Sequence, residues 1–578
     1  MKTVKTLLRY IKRYRILLLL ALLCAVISVG FSLYIPVLVG EAIDFMVGKG
    51  MVVLGEIVRV AVIILVLIAL VAVFQWLMTY ITNVVSARTV RDLRNEVFKK
   101  LNSLPLSAID SKAHGDLISR ITNDVEAVGD GLTQVITKLF SGTVTIVGTF
   151  AFMLSISVGI ALVVVVLTPL SVLVAAVIGK MCAKSFREQQ ELQGEISSYV
   201  EEIVGNQKVV KAFSYEERSQ EEFEKQNKKL FKVGLRAQFA GALANPSTRF
   251  VNNMVYAATG IIGAISVISA FMGSLTIGGL SCFLTYANQY TKPFNEVTGV
   301  LTQIQTALAA GDRIFNILSA ESEPDESEKK HLDKVNGELE FKHVRFSYTP
   351  ERPLIKDFSL KVKSGQQVAI VGPTGCGKTT LINLIMRFYE IDGGEILLDG
   401  VSTKEINRDS LRGKFGMVLQ DSWLFSGTIT ENLRYGNPDA SDEEIIEAAK
   451  MSYAHSFIRK MPDGYNTMLN ENAENLSAGQ KQLLCIARAM VLDPPMLILD
   501  EATSSIDTLT EIRVQKAFKK LMKGRTSFIV AHRLSTIKES DVILVMNDGD
   551  IIEQGTHEEL LERKGFYYNL YNSQFTNS

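Results

Sequence analysis

Cysteine is scarce in this chain. Five occur in 578 residues (Cys24, Cys182, Cys282, Cys376 and Cys485), and no two form a Cys-x-x-Cys pair. That spacing excludes a disulfide framework and a cysteine zinc site. Net charge is also lacking, because 61 basic residues balance 61 acidic ones. Without surplus positive charge the chain is not built to hold nucleic acid by bulk electrostatics. With 47% hydrophobic residues it is not disordered either. The most informative absence is local. No charge occurs from Ile16 to Gly40, Val60 to Ala87, Leu139 to Gly179, or Phe250 to Thr291.

A bilayer span needs about 20 apolar residues, so the first two stretches hold one span each and the last two hold two each. Six spans are expected. Buried core helices of a soluble protein are shorter and amphipathic, and do not fit. Met1 to Arg15 carries six basic residues and no acid. The positive-inside rule therefore places the N-terminus in the cytoplasm of a multi-pass plasma-membrane protein. The apolar run is too long for a signal peptide and no small-residue cleavage pattern follows. The residues before Ile16 could form an interfacial helix.

Arg88–Lys138 and Lys180–Arg249 are long, charged and free of turn clusters, so the spans are expected to continue into water as long helices. Turns are expected near Ser155–Gly159 and Phe271–Leu275. Pro36, Pro169, Pro246 and Pro293 are candidates for kinks. The spans contain no charged residue, which argues against a fixed-charge substrate site. Asn252, Asn253, Tyr256, Tyr286 and Gln289 are uncharged candidates for lining a cavity or for packing helices together. Residues 1–319 read as a membrane domain, 320–336 as a polar linker, and 337–578 as an α/β P-loop ATPase domain.

Gly372-Pro-Thr-Gly-Cys-Gly-Lys378-Thr379 fits the phosphate-loop pattern between an apolar strand and a helix. Gly372, Pro373, Thr374, Gly375, Cys376, Gly377, Lys378, Thr379 and Thr380 are thus the expected ATP-binding set. Lys378 would reach the β- and γ-phosphates and the Thr379 hydroxyl would bind Mg²⁺. Met496-Leu-Ile-Leu-Asp500-Glu501 is an apolar strand ending in two acids. Asp500 can hold Mg²⁺, and Glu501 can orient and deprotonate an attacking water.

Six pieces then occur in fixed order: Tyr348, the phosphate loop, Gln420, Leu476-Ser477-Ala478-Gly479-Gln480, Asp500-Glu501 and His532. Together they resemble the nucleotide-binding cassette of ATP-binding cassette (ABC) transporters, and the spans in front resemble the exporter-type membrane domain. The resemblance implies that Tyr348 stacks on adenine, and that Gln420 contacts Mg²⁺ and the attacking water. It further implies that Asp507 belongs to the D-loop, and that His532 contacts the γ-phosphate as a switch. Trp423, Leu424 and Phe425–Asn432 resemble the exporter form of the Gln420 loop. Asp110–Asp124 and Gln207–Arg218 resemble the coupling helices.

In the family two cassettes pair head to tail, so Ser477, Ala478, Gly479 and Gln480 would serve a partner's ATP. A second half-transporter chain is therefore implied. This sequence departs from the family at two points. Ala478 replaces a glycine of the usual LSGGQ signature, and Asn470–Ala473 replaces Gly-Glu-x-Gly. Glu501 and His532 are intact. That split resembles one subunit of heterodimeric exporters with one degenerate ATP site, while neutral drift in a homodimer is the alternative. The implied activity is ATP-driven export of amphipathic, multidrug-like small molecules. A lipid or peptide exporter, an exporter-fold importer and an ATP-gated channel are the alternatives. Intact Glu501 favours turnover over gating.

Overall fold

The computed structural model describes residues 2–46, 52–269, 275–349, 351–420, 422–470, 473–500, 507–530 and 534–575. The chain divides into two compact units. One is Met1–Ser103 with Lys112–Glu321, and the other is Leu104–Ser111 with Ser322–Ser578.

The first unit is helical. A short helix α1 (Lys2–Lys12) precedes α2 (Arg15–Asp44) and α3 (Leu54–Leu101). Pro105 then starts the five-residue α4 (Leu106–Asp110). The next long rod is α5 (His114–Ser119), α6 (Val125–Gln134) and α7 (Ser141–Ile156), joined by π-segments at Arg120–Asp124 and Val135–Phe140. Ser157 breaks it and caps α8 (Val158–Gly205), within the turn expected there. After α9 (Gln207–Ala212) come α10 (Glu216–Ser269) and α11 (Ile277–Leu318). Part of the second expected turn lies outside the described residues. Pro36, Pro169, Pro246 and Pro293 all sit inside helices.

By length and composition, four helical stretches are long and apolar enough to cross a membrane, among the described residues. They are Arg15–Asp44, Leu54–Leu101, His114–Ile156 and Glu216–Ser269, and Val158–Leu170 is a shorter apolar helix. α11 carries the sixth expected span, diluted by polar side chains from Thr285 to Gln289.

These helices are held by close backbone approach. A Cβ on Gly278 would lie 1.9 Å from the Gly40 carbonyl oxygen, and one on Gly40 would lie 2.7 Å from the Gly278 oxygen. Small residues let α2 and α11 touch backbone to backbone, which in lipid replaces the missing hydrophobic drive. Asp44 Oδ1 accepts a 2.8 Å hydrogen bond from Gly278 N, capping α11 from the end of α2. Further along, the Tyr286 hydroxyl donates to the Leu33 carbonyl at 2.5 Å. Tyr286 is fully buried, so the sequence candidate is a packing group between α2 and α11.

Among the described residues the second unit holds three sheets. β1 (Leu339–Phe346), β2 (Ile355–Val362), β4 (Gly393–Leu398) and β5 (Val401–Ser402) form an antiparallel sheet in the order β2-β1-β4-β5. β3 (Gln367–Val371), β6 (Phe415–Val418), β9 (Met496–Asp500), β10 (Thr526–Val530), β11 (Val542–Asn547) and β12 (Asp550–Gly555) form the main sheet. Its order is β12-β11-β3-β10-β9-β6, with only β12 antiparallel. β7 (Gly427–Thr428) and β8 (Met468–Leu469) make a small pair. After α12 (Lys378–Ile385) come α13 (Arg408–Arg412), α14 (Ile429–Arg434), α15 (Asp442–Met451), α16 (His455–Ile458), α17 (Ala478–Leu492) and α18 (Thr508–Met522), of which α12, α17 and α18 concern the site. The central strands read as unbroken apolar runs because helices cover both faces.

The segment expected as a linker is built into this unit. Glu326 is 6% exposed and accepts from Arg387 Nη2 at 2.9 Å, Lys329 Nζ at 2.9 Å and the Arg408 backbone N–H at 3.1 Å. Glu323 takes a bidentate pair from Arg412 at 2.8 and 3.1 Å. Polar composition suggests a solvated tether, but a carboxylate meeting several cations can be buried. Burial alone would raise the Glu326 pKa. The Lys329 hydrogen bond and the Arg387, Arg408 and Lys329 charges together hold it below the usual carboxylate range.

Two outcomes follow for measurement. Gly278→Ala should cost about 1–3 kcal/mol by overpacking, read as a lower Tm of the solubilised protein, while Gly30→Ala should not. Because the folded pKa of Glu326 is depressed, its contribution is complete above the unfolded value and fades as pH falls through the folded one. Glu326→Gln should lower cassette stability at neutral pH by about 3–5 kcal/mol, and the difference from wild type should shrink on acidification in denaturant titrations.

Candidate nucleotide site and its surroundings

Four parallel strands deliver their C-terminal ends to one edge. The register pairs Val418 with Leu499, Val530 with Asp500 and Val530 with Ile370. That edge therefore carries Gly372 after β3, Asp500 at the end of β9, and Gln420 two residues past β6. Glu501 directly follows β9 and His532 follows β10 by two residues in the chain, and both lie outside the described residues.

The phosphate loop depends on its glycines for different reasons. A Cβ on Gly372 would sit 2.2 Å from the Met546 carbonyl oxygen of β11. Gly375 and Gly377 take φ of +83° and +103°, in the left-handed region. Gly377 then caps α12. Cys376 is 2% exposed and points into the core, so it is a packing residue. The Lys378 ammonium donates to the Gly372 and Pro373 carbonyls at 2.9 and 3.0 Å, which holds it across the loop. Thr374 and Thr379 are exposed and Thr380 is buried. A loop of this form opening a helix presents backbone N–H groups, the chemistry a polyphosphate requires.

Among the described residues no group of three His, Cys, Asp or Glu could hold a metal ion. Thr379 and Asp500 offer one hydroxyl and one carboxylate. Such a sparse set suits Mg²⁺, which keeps waters and draws its remaining ligands from phosphate oxygens.

Tyr348 lies beside the loop, about half exposed, its hydroxyl donating to Thr380 Oγ1 at 3.2 Å. Its ring meets Phe346 and Tyr389 edge-on at 4.9 and 5.0 Å between centroids. Tyr389 in turn donates to Asp110 Oδ2 at 2.7 Å. Burial first, then that hydrogen bond, push the Tyr389 hydroxyl pKa upward. Of the expected coupling segment Asp110–Asp124, Asp110 and Ser111 belong to the cassette unit, with Leu104–Ile109 before them, and Lys112–Asp124 belongs to the membrane unit. Leu104 is buried and Pro105 caps the short helix that ends at Asp110. Gln207–Arg218 forms α9 and the first turn of α10.

Ser477 is the N-cap of α17 in a full capping box. Its hydroxyl accepts from Gln480 N at 3.3 Å, and Gln480 Oε1 accepts from Ser477 N at 2.9 Å. Ser477 and Ala478 are exposed and Gly479 is buried. Ala478 has a right-handed helical backbone, so its methyl adds bulk at the surface without strain. Glu471 and Asn472 lie outside the described residues, whereas Ala473 is fully buried with φ of +49°, a conformation that suits glycine better. Asp507 caps α18 by accepting from Thr510 N at 2.9 Å, and that backbone bond lowers its carboxyl pKa.

Sequence reading missed Arg488. From α17 it donates to the Trp423 and Asn432 carbonyls at 3.2 and 2.9 Å and to Asn432 Oδ1 at 3.0 Å. Asn432, fully buried, also clamps Phe425 through both its amide groups. Arg488 thus ties the signature helix to the stretch after Gln420. The available signal was a lone cation inside the apolar run Leu483–Leu492. Gly372→Ala should weaken binding of a fluorescent ATP analogue by about tenfold or more, because Met546 leaves no room for the methyl.

Comparison with known proteins agrees with this geometry. The family model described as "ABC transporter transmembrane region" matches residues 18–294, and the one described as "ABC transporter" matches 355–504. An uncharacterized ABC transporter ATP-binding protein of Bacillus subtilis is 41% identical over 99% of this chain and 94% of its own. A fatty acid ABC transporter ATP-binding/permease protein of Mycobacterium bovis is 41% identical over 86% of this chain and 78% of its own. An ATP-dependent lipid A-core flippase of Syntrophus aciditrophicus is 36% identical over 85% and 81%. A solved structure of a bacterial Atm1-family ABC exporter with ATP bound superposes with a TM-score of 0.78 at 28% identity, covering 97% of this chain and 98% of that one. With a membrane helix unit and a phosphate-loop cassette matched along nearly its whole length, the chain belongs to the ABC transporters, as an exporter-type half-transporter that hydrolyses ATP to drive transport.

Proposed function

We propose that this chain is one half of an exporter that moves amphipathic or lipophilic small molecules across the plasma membrane by alternating access. ATP and Mg²⁺ lie between two cassettes paired head to tail. The observation that carries the pairing is the α17 N-terminus. Ser477 and Ala478 stand exposed at a helix start, which is an anion-binding end. Lys378 and the loop glycines hold the phosphates on this chain's side, and Tyr348 stacks on adenine. Thr379, Gln420 and Asp500 serve Mg²⁺. Gln420 and Glu501 position and activate the attacking water, and His532 contacts the γ-phosphate. The basic N-terminus places that end and the cassette in the cytoplasm.

The partner is a different chain in this reading. Ala478 adds a methyl at the exposed signature, and Ala473 keeps a left-handed backbone without the glycine that suits it. Both support a weakened signature beside an unaltered Glu501 and His532. The relatives named for fatty acid and lipid A-core support the lipid-like end of the substrate range.

Reconstituted vesicles test this. Lys378→Ala and Glu501→Gln should each abolish ATP-dependent substrate movement, with ATPase falling by about 10²-fold or more. An ATPase rate unchanged by Lys378→Ala would sink the mechanism. Uptake by the lone chain, abolished by Glu501→Gln, would sink the heterodimer.

A further inference from the structure

The membrane unit contains a cavity of about 410 Å³ between α2, α3, α7 with its preceding π-segment, and α11. That size suits one small molecule. Its walls are not neutral. Lys138 and Lys292 both line it, and among the described lining residues there is no aspartate or glutamate. The two lysines stand at the borders of uncharged blocks, Lys138 before Leu139 and Lys292 after Thr291. Sequence reading counted only residues inside those blocks and so expected no charged site. The fold brings two block borders from separate helices to one cavity.

Local distortions occur on both walls. Lys138 lies within the π-segment Val135–Phe140, a form that recurs at functional sites. Lys292 precedes Pro293, which has no N–H to offer the Gln289 carbonyl one turn back. Gln289 lines the same cavity, and its Oε1 is buried with no hydrogen-bond partner. Rotating that amide presents N–H donors instead. The rest of the wall mixes uncharged polar side chains, such as Gln75, Thr137 and Ser141, with apolar ones that include Val29, Leu33 and Ile146.

We propose that this cavity binds an anionic single-chain amphiphile, its acid group held by Lys138 and Lys292 with the Gln289 amide, and its tail among Val29, Leu33 and Ile146. The inference rests on the export reading above and narrows its substrate class. Lysine stems suit this position, because their methylenes lie on apolar wall while the ammonium stays at its polar end.

The assembled transporter in lipid nanodiscs provides the test, with ATPase stimulation by laurate, dodecanol and dodecylamine as the readout. Laurate should act at about tenfold lower concentration than dodecylamine, the size expected of one charge-assisted hydrogen bond. Lys138→Gln with Lys292→Gln should erase that preference, and Lys138→Glu with Lys292→Glu should reverse it. Equal response to all three probes in the wild type overturns the inference and leaves amphiphile export standing, and this arm needs no variant to fold. A preference that survives both pairs of substitutions also overturns it. Silence towards all three probes overturns the export reading itself.

Discussion

The cassette depends on one close approach. Gly372 leaves β3 with its Cα turned against the Met546 carbonyl of β11, at a distance where any Cβ would collide. That contact lets the chain turn sharply at the end of a central parallel strand and re-enter as α12. The loop N–H groups and Lys378 then face the edge where β6 and β9 also end. A site for a polyphosphate needs many donors and little side-chain bulk, so glycine at this contact organises everything around it.

The membrane unit uses the same device for another purpose. Gly40 and Gly278 bring two helix backbones together, and Asp44 caps α11 across that contact. In lipid, apolar surfaces gain nothing by leaving one apolar medium for another, so packing and hydrogen bonds decide association. Tyr286 shows the consequence. It is wholly buried and bonded to the Leu33 carbonyl, which makes it part of the helix–helix joint.

Charge is placed less simply than composition suggests. The acidic stretch around Glu323 and Glu326 reads as a tether but is held against the cassette by Arg387, Arg408 and Arg412. Arg387 follows the phosphate-loop helix almost directly, so the segment after α11 is bonded to the element that opens on the nucleotide. Two residues further on, Tyr389 links Tyr348 to Asp110. Both connections run through residues that no motif singled out.

The sequence by itself determined the apolar spans, the phosphate loop, the strand ending at Asp500 and the order of the cassette motifs. Each is a local pattern whose physics is complete within a few residues: a hydrophobic length, a glycine spacing, an apolar run closed by an acid. What only the tertiary structure decided are relations between distant residues. These are the meeting of Gly40 with Gly278, of Arg488 with Asn432, of Tyr389 with Asp110, and of Lys138 with Lys292 around one cavity. Such pairs leave no periodic trace, because their separation along the chain is set by topology and loop length. A lysine that borders an uncharged run also looks like an ordinary helix flank until a second helix brings its own border alongside.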